Sequence, residues 1–226
     1  MGAITGGARN IVTNGLILNL DAANYKSYPG SGTTLIDITG NGYNSTLTNG
    51  PTFSSTVAGN IEFDGTNDYI SIPQTALFNT DRSFTLMMWV YGQPSGGYSG
   101  FLRINGTLVF FAPNSATSGS AGGSWRLAYP YPSVSYQSLT MPVNQWFLLT
   151  LTNLDSQTPS YQGYSINGAA LTTTTYTGRI DPFEIRIGIA DNYIVGKFGK
   201  VLAYNRVLSD SEILQNFNSS RARFGI

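Results

Sequence analysis

The sequence contains no cysteine and no histidine among its 226 residues. Without thiols there is no disulfide, no thiolate nucleophile, and no zinc or iron–sulfur site built on sulfur. Without imidazoles there is no Ser-His-Asp triad and no side chain that titrates of its own accord near neutral pH. Charge is scarce as well: 11% of residues are charged, and 12 Lys+Arg balance 12 Asp+Glu. A protein that holds polyanions regardless of sequence works through a cationic field, so no nucleic-acid partner is expected. The longest apolar runs, such as Phe84 to Tyr91 and Trp146 to Leu151, stop far short of the about 20 residues that span a bilayer. No membrane partner is expected. The start, Met1 to Val12, has no apolar stretch of the secretory kind, so the chain is expected to be made in the cytoplasm without a signal peptide.

What is present favours strands and turns. Apolar residues make up 41% of the chain and aromatics 13%, enough for a real core, while 92 residues are Gly, Ser, Thr or Asn. Alternation of period two recurs along the chain. In Ser83 to Tyr91, Phe84, Leu86, Met88 and Val90 fall on one face and Thr85, Met87, Trp89 and Tyr91 on the other. Both faces are apolar, which predicts a strand that meets water on neither side. Trp146 to Thr152 reads alike, and Ile185, Ile187 and Ile189 alternate with polar neighbours. Further strands are predicted at Leu16–Leu20, Asn60–Phe63, Tyr69–Ile72, Gly100–Ile104, Leu108–Phe111, Gly163–Ile166 and Gly196–Tyr204. Five Asn-Gly pairs, at Asn14, Asn41, Asn49, Asn105 and Asn167, and one Asp64-Gly65 punctuate them, as tight turns demand.

Two stretches, Pro94 to Gly100 and Pro113 to Pro142, are rich in Gly, Ser, Pro and Tyr and are expected to leave the strand scaffold as long loops. Near the end Ser209 precedes Glu212 by three residues, a capping box. Ile213, Leu214 and Phe217 follow at helical spacing, which predicts one short helix at Asp210–Asn218. The fold class expected is all-β: a two-sheet antiparallel jelly roll with one short C-terminal helix.

The segment from Asn60 to Pro73, Asn-Ile-Glu-Phe-Asp-Gly-Thr-Asn-Asp-Tyr-Ile-Ser-Ile-Pro, resembles the signature of laminin-G-like jelly rolls in the concanavalin A-like lectin/glucanase superfamily. Ser83 to Tyr91, Asn144 to Thr152, Tyr164 to Gly168 and Gly196 to Ile213 are similar to the strands and closing helix that follow it in that family, in the same order. The opening, Asn14 to Asn24, Ser27 to Thr34 and Gly40 to Gly42, and the close, Gln215 to Ile226, resemble laminin-G-like proteins of tailed bacteriophages. The resemblance implies an N-terminal arm at 1–11, a jelly-roll domain at 12–220 and a C-terminal tail at 221–226. It further implies a non-enzymatic virion protein, a capsid decoration or cement. Its partners would be the major capsid protein or neck and tail proteins, with further copies of itself in the particle. The alternative is an adhesin that recognises host glycans, and a glycanase ranks behind both.

Candidate site residues follow from chemistry. Retaining glycanases of the superfamily carry carboxylates at alternate strand positions, as Glu-x-Asp-x-x-Glu. Here Glu62 and Asp64 have that spacing, but the third carboxylate, Asp68, lies past a turn, and the chain has three Glu in all. No catalytic residue is assigned. Relatives hold Ca²⁺ through Asp and Asn oxygens, roughly 6–8 of them. Asp64, Asn67 and Asp68, with Asp191 and Asn192, are an oxygen source that a turn would equally use for its own backbone; no ligand set is assigned and no cofactor is required. Tyr98, Trp125, Tyr129, Tyr131 and Tyr136 are the aromatics of the two loop-like stretches, suited to sugar or protein contact. Ile4, Arg9, Arg221, Arg223 and Phe224, near the two ends, are the expected assembly contacts.

Overall fold

The computed structural model describes residues 10–56, 59–73, 83–93, 99–104, 107–111, 124–128, 136–140, 142–154, 160–176 and 185–226. Ile4 and Arg9 lie outside these. Sixteen strands occur among the described residues. The first eight are β1 (Leu16–Asp21), β2 (Thr34–Leu35), β3 (Ser45–Thr48), β4 (Thr52–Ser54), β5 (Asn60–Asp64), β6 (Tyr69–Ile72), β7 (Phe84–Gln93) and β8 (Gly100–Ile104). The rest are β9 (Thr107–Phe111), β10 (Ser124–Ala128), β11 (Tyr136–Thr140), β12 (Trp146–Leu154), β13 (Ser160–Ile166), β14 (Thr172–Tyr176), β15 (Ile185–Ile187) and β16 (Val195–Tyr204). Helix α1 (Asp210–Ser220) and a 3-10 turn (Arg221–Phe224) close the chain. Among the described residues no helix is long and apolar enough to cross a membrane.

Two antiparallel sheets result. One runs β14-β13-β12-β7-β16-β5-β4, with β1 beside the far end of β16; the other runs β11-β10-β9-β8-β15-β6-β3-β2. Phe84, Leu86, Met88 and Val90 of β7 face the other sheet, where they meet Leu102, Ile185 and Ile187 in one core. Met87 and Trp89 point the opposite way and are buried as well. Their cover is α1 and the 3-10 turn, which lie on the outer face of the first sheet. The two apolar faces of β7 thus have different causes: one is sandwich interior, the other is the helix's bed. We call the first sheet the helix-side sheet.

The turns divide by backbone conformation. Asn49-Gly50 and Asn167-Gly168 have positive φ at both residues, a conformation that Asn and Gly adopt at low cost. Asn167-Gly168 lies in the β13–β14 hairpin. Asn49-Gly50 does something else, carrying the chain from β3 in one sheet to β4 in the other. The stretch 113–142, expected as loop, includes β10 and β11, paired along Ser124↔Thr140 to Ala128↔Tyr136. Small and polar residues masked an ordinary ribbon.

Helix α1 starts where the capping box places it: Ser209 and Glu212 cap each other reciprocally. The buried stripe is Ile213, Asn216 and Phe217, whereas Leu214 is exposed. Asn216 is inside because it ties three elements together. Its Oδ1 accepts from Val12 N at 2.8 Å, and its Nδ2 donates to Tyr204 Oη at 3.0 Å, which donates in turn to Val12 O at 2.9 Å. Burial raises the Tyr204 phenol well above its ordinary value, so it stays neutral and keeps its donor.

Glu212 also takes a two-pronged bond from Arg206, at 2.9 and 2.6 Å. Arg206 first, then the Ser209 backbone and hydroxyl, hold its carboxyl down at about 2, against an ordinary 4.5. A carboxylate with a depressed pKa stabilises fully above its unfolded value and loses that effect as pH falls through the folded one. Thermal melts from above pH 4.5 down to pH 2 should therefore show an acid decline that Glu212→Gln flattens. The effect is modest, because the pair is partly exposed.

Candidate functional site

The carboxylates that the spacing brought forward are already engaged. Glu62 on β5 lies opposite Lys197 on β16, and Lys197 Nζ meets Glu62 Oε1 at 2.7 Å. Asp64 Oδ1 accepts from Thr66 N at 2.7 Å, and Asp68 Oδ2 accepts from Asp64 N at 3.1 Å. The main-chain oxygen of Asn67 accepts from Asn49 Nδ2 at 2.8 Å. The Asp64–Asp68 turn therefore spends these oxygens on its own backbone and its neighbour. Burial pushes the Asp68 carboxyl up, the Asp64 backbone opposes this, and the Asp64 carboxylate adds to it. Among the described residues no group of three His, Cys, Asp or Glu is placed to hold a metal ion.

The outer face of the helix-side sheet carries a row of aromatic rings. Phe217 and Phe224 both stack on Trp89, with ring centres 5.8 and 4.2 Å away. Phe224 also meets Trp146 at 4.9 Å, and Trp146 meets Tyr91 edge-on at 5.9 Å. The row ends at Tyr91, which is only half buried. Beside it opens a hollow of about 270 Å³ lined by Glu62, Phe63, Tyr91, Val195, Gly196 and Lys197. The Lys197 ammonium lies 5.8 Å from the centre of the Tyr91 ring while it holds Glu62. A half-buried ring, a carboxylate and an ammonium converge there on open space.

The expected terminal contacts need correction. Phe224 is 3% exposed and sits among its own chain's Trp89 and Trp146. A Cβ on Gly199 would come within 2.5 Å of its ring, so a bare backbone makes the slot that admits it. Arg223 donates to Asp21 Oδ1 at 2.7 Å and to Gly59 O at 3.2 Å. Lys200 lies 3.6 Å from the other Asp21 oxygen. Burial pushes the Lys200 ammonium down, with Asp21 opposing and Arg223 adding. Arg221 is exposed, its guanidinium 5.8 Å from the Phe217 ring centre. Of the three C-terminal residues expected to reach a neighbour, Arg223 and Phe224 are bound within the chain.

Among the loop-stretch aromatics, Tyr98, Tyr129 and Tyr131 lie outside the described residues. Trp125 is on β10 opposite Leu139, and Tyr136 begins β11 opposite Ala128. Their backbone positions are three residues apart along the ribbon, about 10 Å at strand rise. The Tyr91 hollow was not foreseen as a unit. Alternation in β7 does place Tyr91 on the Trp89 face, but the meeting of Glu62, Lys197 and Tyr91 depends on strand register. That register pairs Lys197 with both Glu62 and Tyr91, and no local pattern encodes it.

The Laminin_G_3 family model, of the Concanavalin A-like lectin/glucanases superfamily, matches residues 64–214, and the chain belongs to that family. No curated protein matches the sequence. Solved structures share the fold at low identity. The receptor-binding domain of botulinum neurotoxin type G superposes with a TM-score of 0.61 at 18% identity, over 91% of this chain and 51% of that one. The binding domain of Paraclostridial Mosquitocidal Protein 1 gives 0.64 at 15%, over 91% and 52%. Trypanosoma rangeli sialidase in complex with sialic acid gives 0.67 at 18%, over 94% of this chain and 34% of that one. The chain spans about half of the toxin domains and about a third of the sialidase.

Proposed function

We propose that the protein is a non-catalytic binding module that works on a bacteriophage particle and takes a saccharide ring at the Tyr91 hollow. The observation that carries this reading is the convergence of the half-exposed Tyr91 ring with the Glu62–Lys197 pair around about 270 Å³ of open space. That volume is slightly under the usual range for ligand pockets and suits one ring or a short side chain. A sugar presents an apolar face to stack on the tyrosine and hydroxyls to bond the carboxylate and ammonium. Glu62 is bound to Lys197 at 2.7 Å, and among the described residues no second carboxylate lines the hollow, which supports binding over the two-carboxylate chemistry of glycoside hydrolysis. The particle setting is supported by the phage-like wording of residues 14–42 and 215–226.

A glycan array tests the reading. Binding should fall at least tenfold in Tyr91→Ala with the fold retained by circular dichroism. Reducing ends released from a polysaccharide panel by the wild type, and abolished in Glu62→Gln, would instead establish a glycanase. The second reading, a capsid decoration held by protein contacts, is favoured by the resemblance of both end segments. It expects a blank array and uptake of the protein by depleted particles. Because Phe224 is internal, that uptake would depend on the sandwich surface and residues 1–10 rather than on residues 221–226.

A further inference from the structure

Glu62, Lys197 and Tyr91 form one row across the helix-side sheet, since Lys197 is the cross-strand partner of Glu62 on β5 and of Tyr91 on β7. That register keeps the ammonium against the carboxylate, 2.7 Å from Oε1, and beside the ring. The pair spends little of its bonding capacity. A carboxylate has two accepting oxygens, and an ammonium has three protons to donate. One oxygen and one proton meet in the ion pair. Among the described residues, Glu62 Oε2 and the other protons of Lys197 have no hydrogen-bond partner. These two are also the only charged side chains among the described residues that line the hollow, so its walls carry no net charge. Asp64, the next residue on that face of β5, lies outside the lining and accepts from Thr66 N. Val195 shares the face of Lys197 on β16 and adds an apolar wall that is 40% exposed.

We propose that the hollow selects by charge: it takes an uncharged, hydroxyl-bearing sugar and turns away acidic and amino sugars, with Glu62 and Lys197 as the selecting residues. The proposal rests on the hollow being a saccharide site. A hydroxyl matches an ion pair that stays closed, because it donates to the carboxylate and accepts from the ammonium at one place. Both bonds are charge-assisted. The carbon face of the same ring meanwhile covers Tyr91 and Val195. A sugar carboxylate gains a comparable bond only by drawing Lys197 away from Glu62, which leaves two carboxylates side by side in the hollow. Like charges brought together at a binding surface reject the partner that brings them. A sugar ammonium meets the mirror case: Glu62 is already engaged, and Lys197 repels the newcomer. The ion pair thus leaves hydroxyl binding intact while it removes the reward for bringing a charge.

Sugars that differ only at the exocyclic carbon, as alcohol, carboxylate or amine, test this. They are arrayed as matched glycosides in the glucose, galactose and mannose series. The wild type should bind the neutral member of at least one series at least tenfold more tightly than both charged members. Glu62→Gln should raise the ratio of acidic to neutral binding at least tenfold, and salt should erase that gain, because the attraction of an exposed ammonium is screened. Lys197→Gln should move the ratio as far towards the amino sugar. Both variants should fold normally by circular dichroism, since exposed ion pairs contribute little. A damaged fold would weaken all three ligands together and leave their ratios alone. A wild type that binds the acid or the amine as tightly as the neutral sugar overturns charge selection. So do ratios that neither variant moves. In both cases the saccharide site itself stands if Tyr91→Ala still abolishes binding. A wild type that binds no sugar, or binding indifferent to Tyr91→Ala, overturns the site and the selection together.

Discussion

Phe224→Ala should be among the most damaging single changes in the domain, lowering stability by about 3 kcal/mol, the cost of emptying a well-packed aromatic site. The ring lies between Trp89 and Trp146, 4.2 and 4.9 Å from their centres. Its loss would open the helix-side face beside two indoles. Urea unfolding should show the lower midpoint, and native tryptophan emission should shift to the red as water reaches Trp146. Deletion of residues 221–226 should do at least as much, since it also removes the Arg223 bonds to Asp21 and Gly59. From the sequence alone that deletion is expected to leave the fold intact. The burial of Phe224 reverses the expectation. If the deleted chain melts with the wild type, the segment is no part of the core.

The second large effect is at Asn216. Asn216→Leu keeps the branched shape and discards three hydrogen bonds: Val12 N loses its acceptor, and Tyr204 Oη and Met87 Sδ lose their donor. A buried polar group left without its partner costs about 1–3 kcal/mol, so a loss of about 2 kcal/mol is expected. The damage should be local as well as global. Hydrogen exchange at the Val12 amide should accelerate in Asn216→Leu beyond what the lower stability accounts for. Exchange at Val12 that merely follows global unfolding would contradict the hub role.

The residues that could be read in advance share one property: their environment is set by neighbours close in sequence. Alternation in Phe84 to Tyr91 and in Ile185 to Ile187, and the capping box at Ser209, are of this kind, and the strands and helix appear with boundaries shifted by a few residues. The family wording added the order of the strands. What stayed hidden depends on long-range pairing. β14 has no apolar alternation, since four threonines fit either face, and it is a strand because β13 offers it a ladder. Asn216 reads as a surface residue until Tyr204 and Val12 arrive beside it. Phe224 in Arg-Ala-Arg-Phe-Gly-Ile reads as a solvent-facing anchor, and only Gly199 and two tryptophans more than 70 residues away by sequence position make room for it. The Tyr91 hollow is of the same kind, a product of register among β5, β7 and β16.

β16 pairs with β7 on one side and with both β5 and β1 on the other, so the strand at the middle of its sheet is the last strand in the chain. On the ribosome, everything before Val195 must therefore wait with its central ladder unfilled, β1 without any partner in that sheet. Contacts of such long sequence separation make folding slow, and incomplete sheets expose edges to other chains. The order of synthesis keeps the helix-side sheet incomplete until its last strand has emerged. It closes only after β16 and Phe224 have emerged to take their places against β7, Trp89 and Trp146.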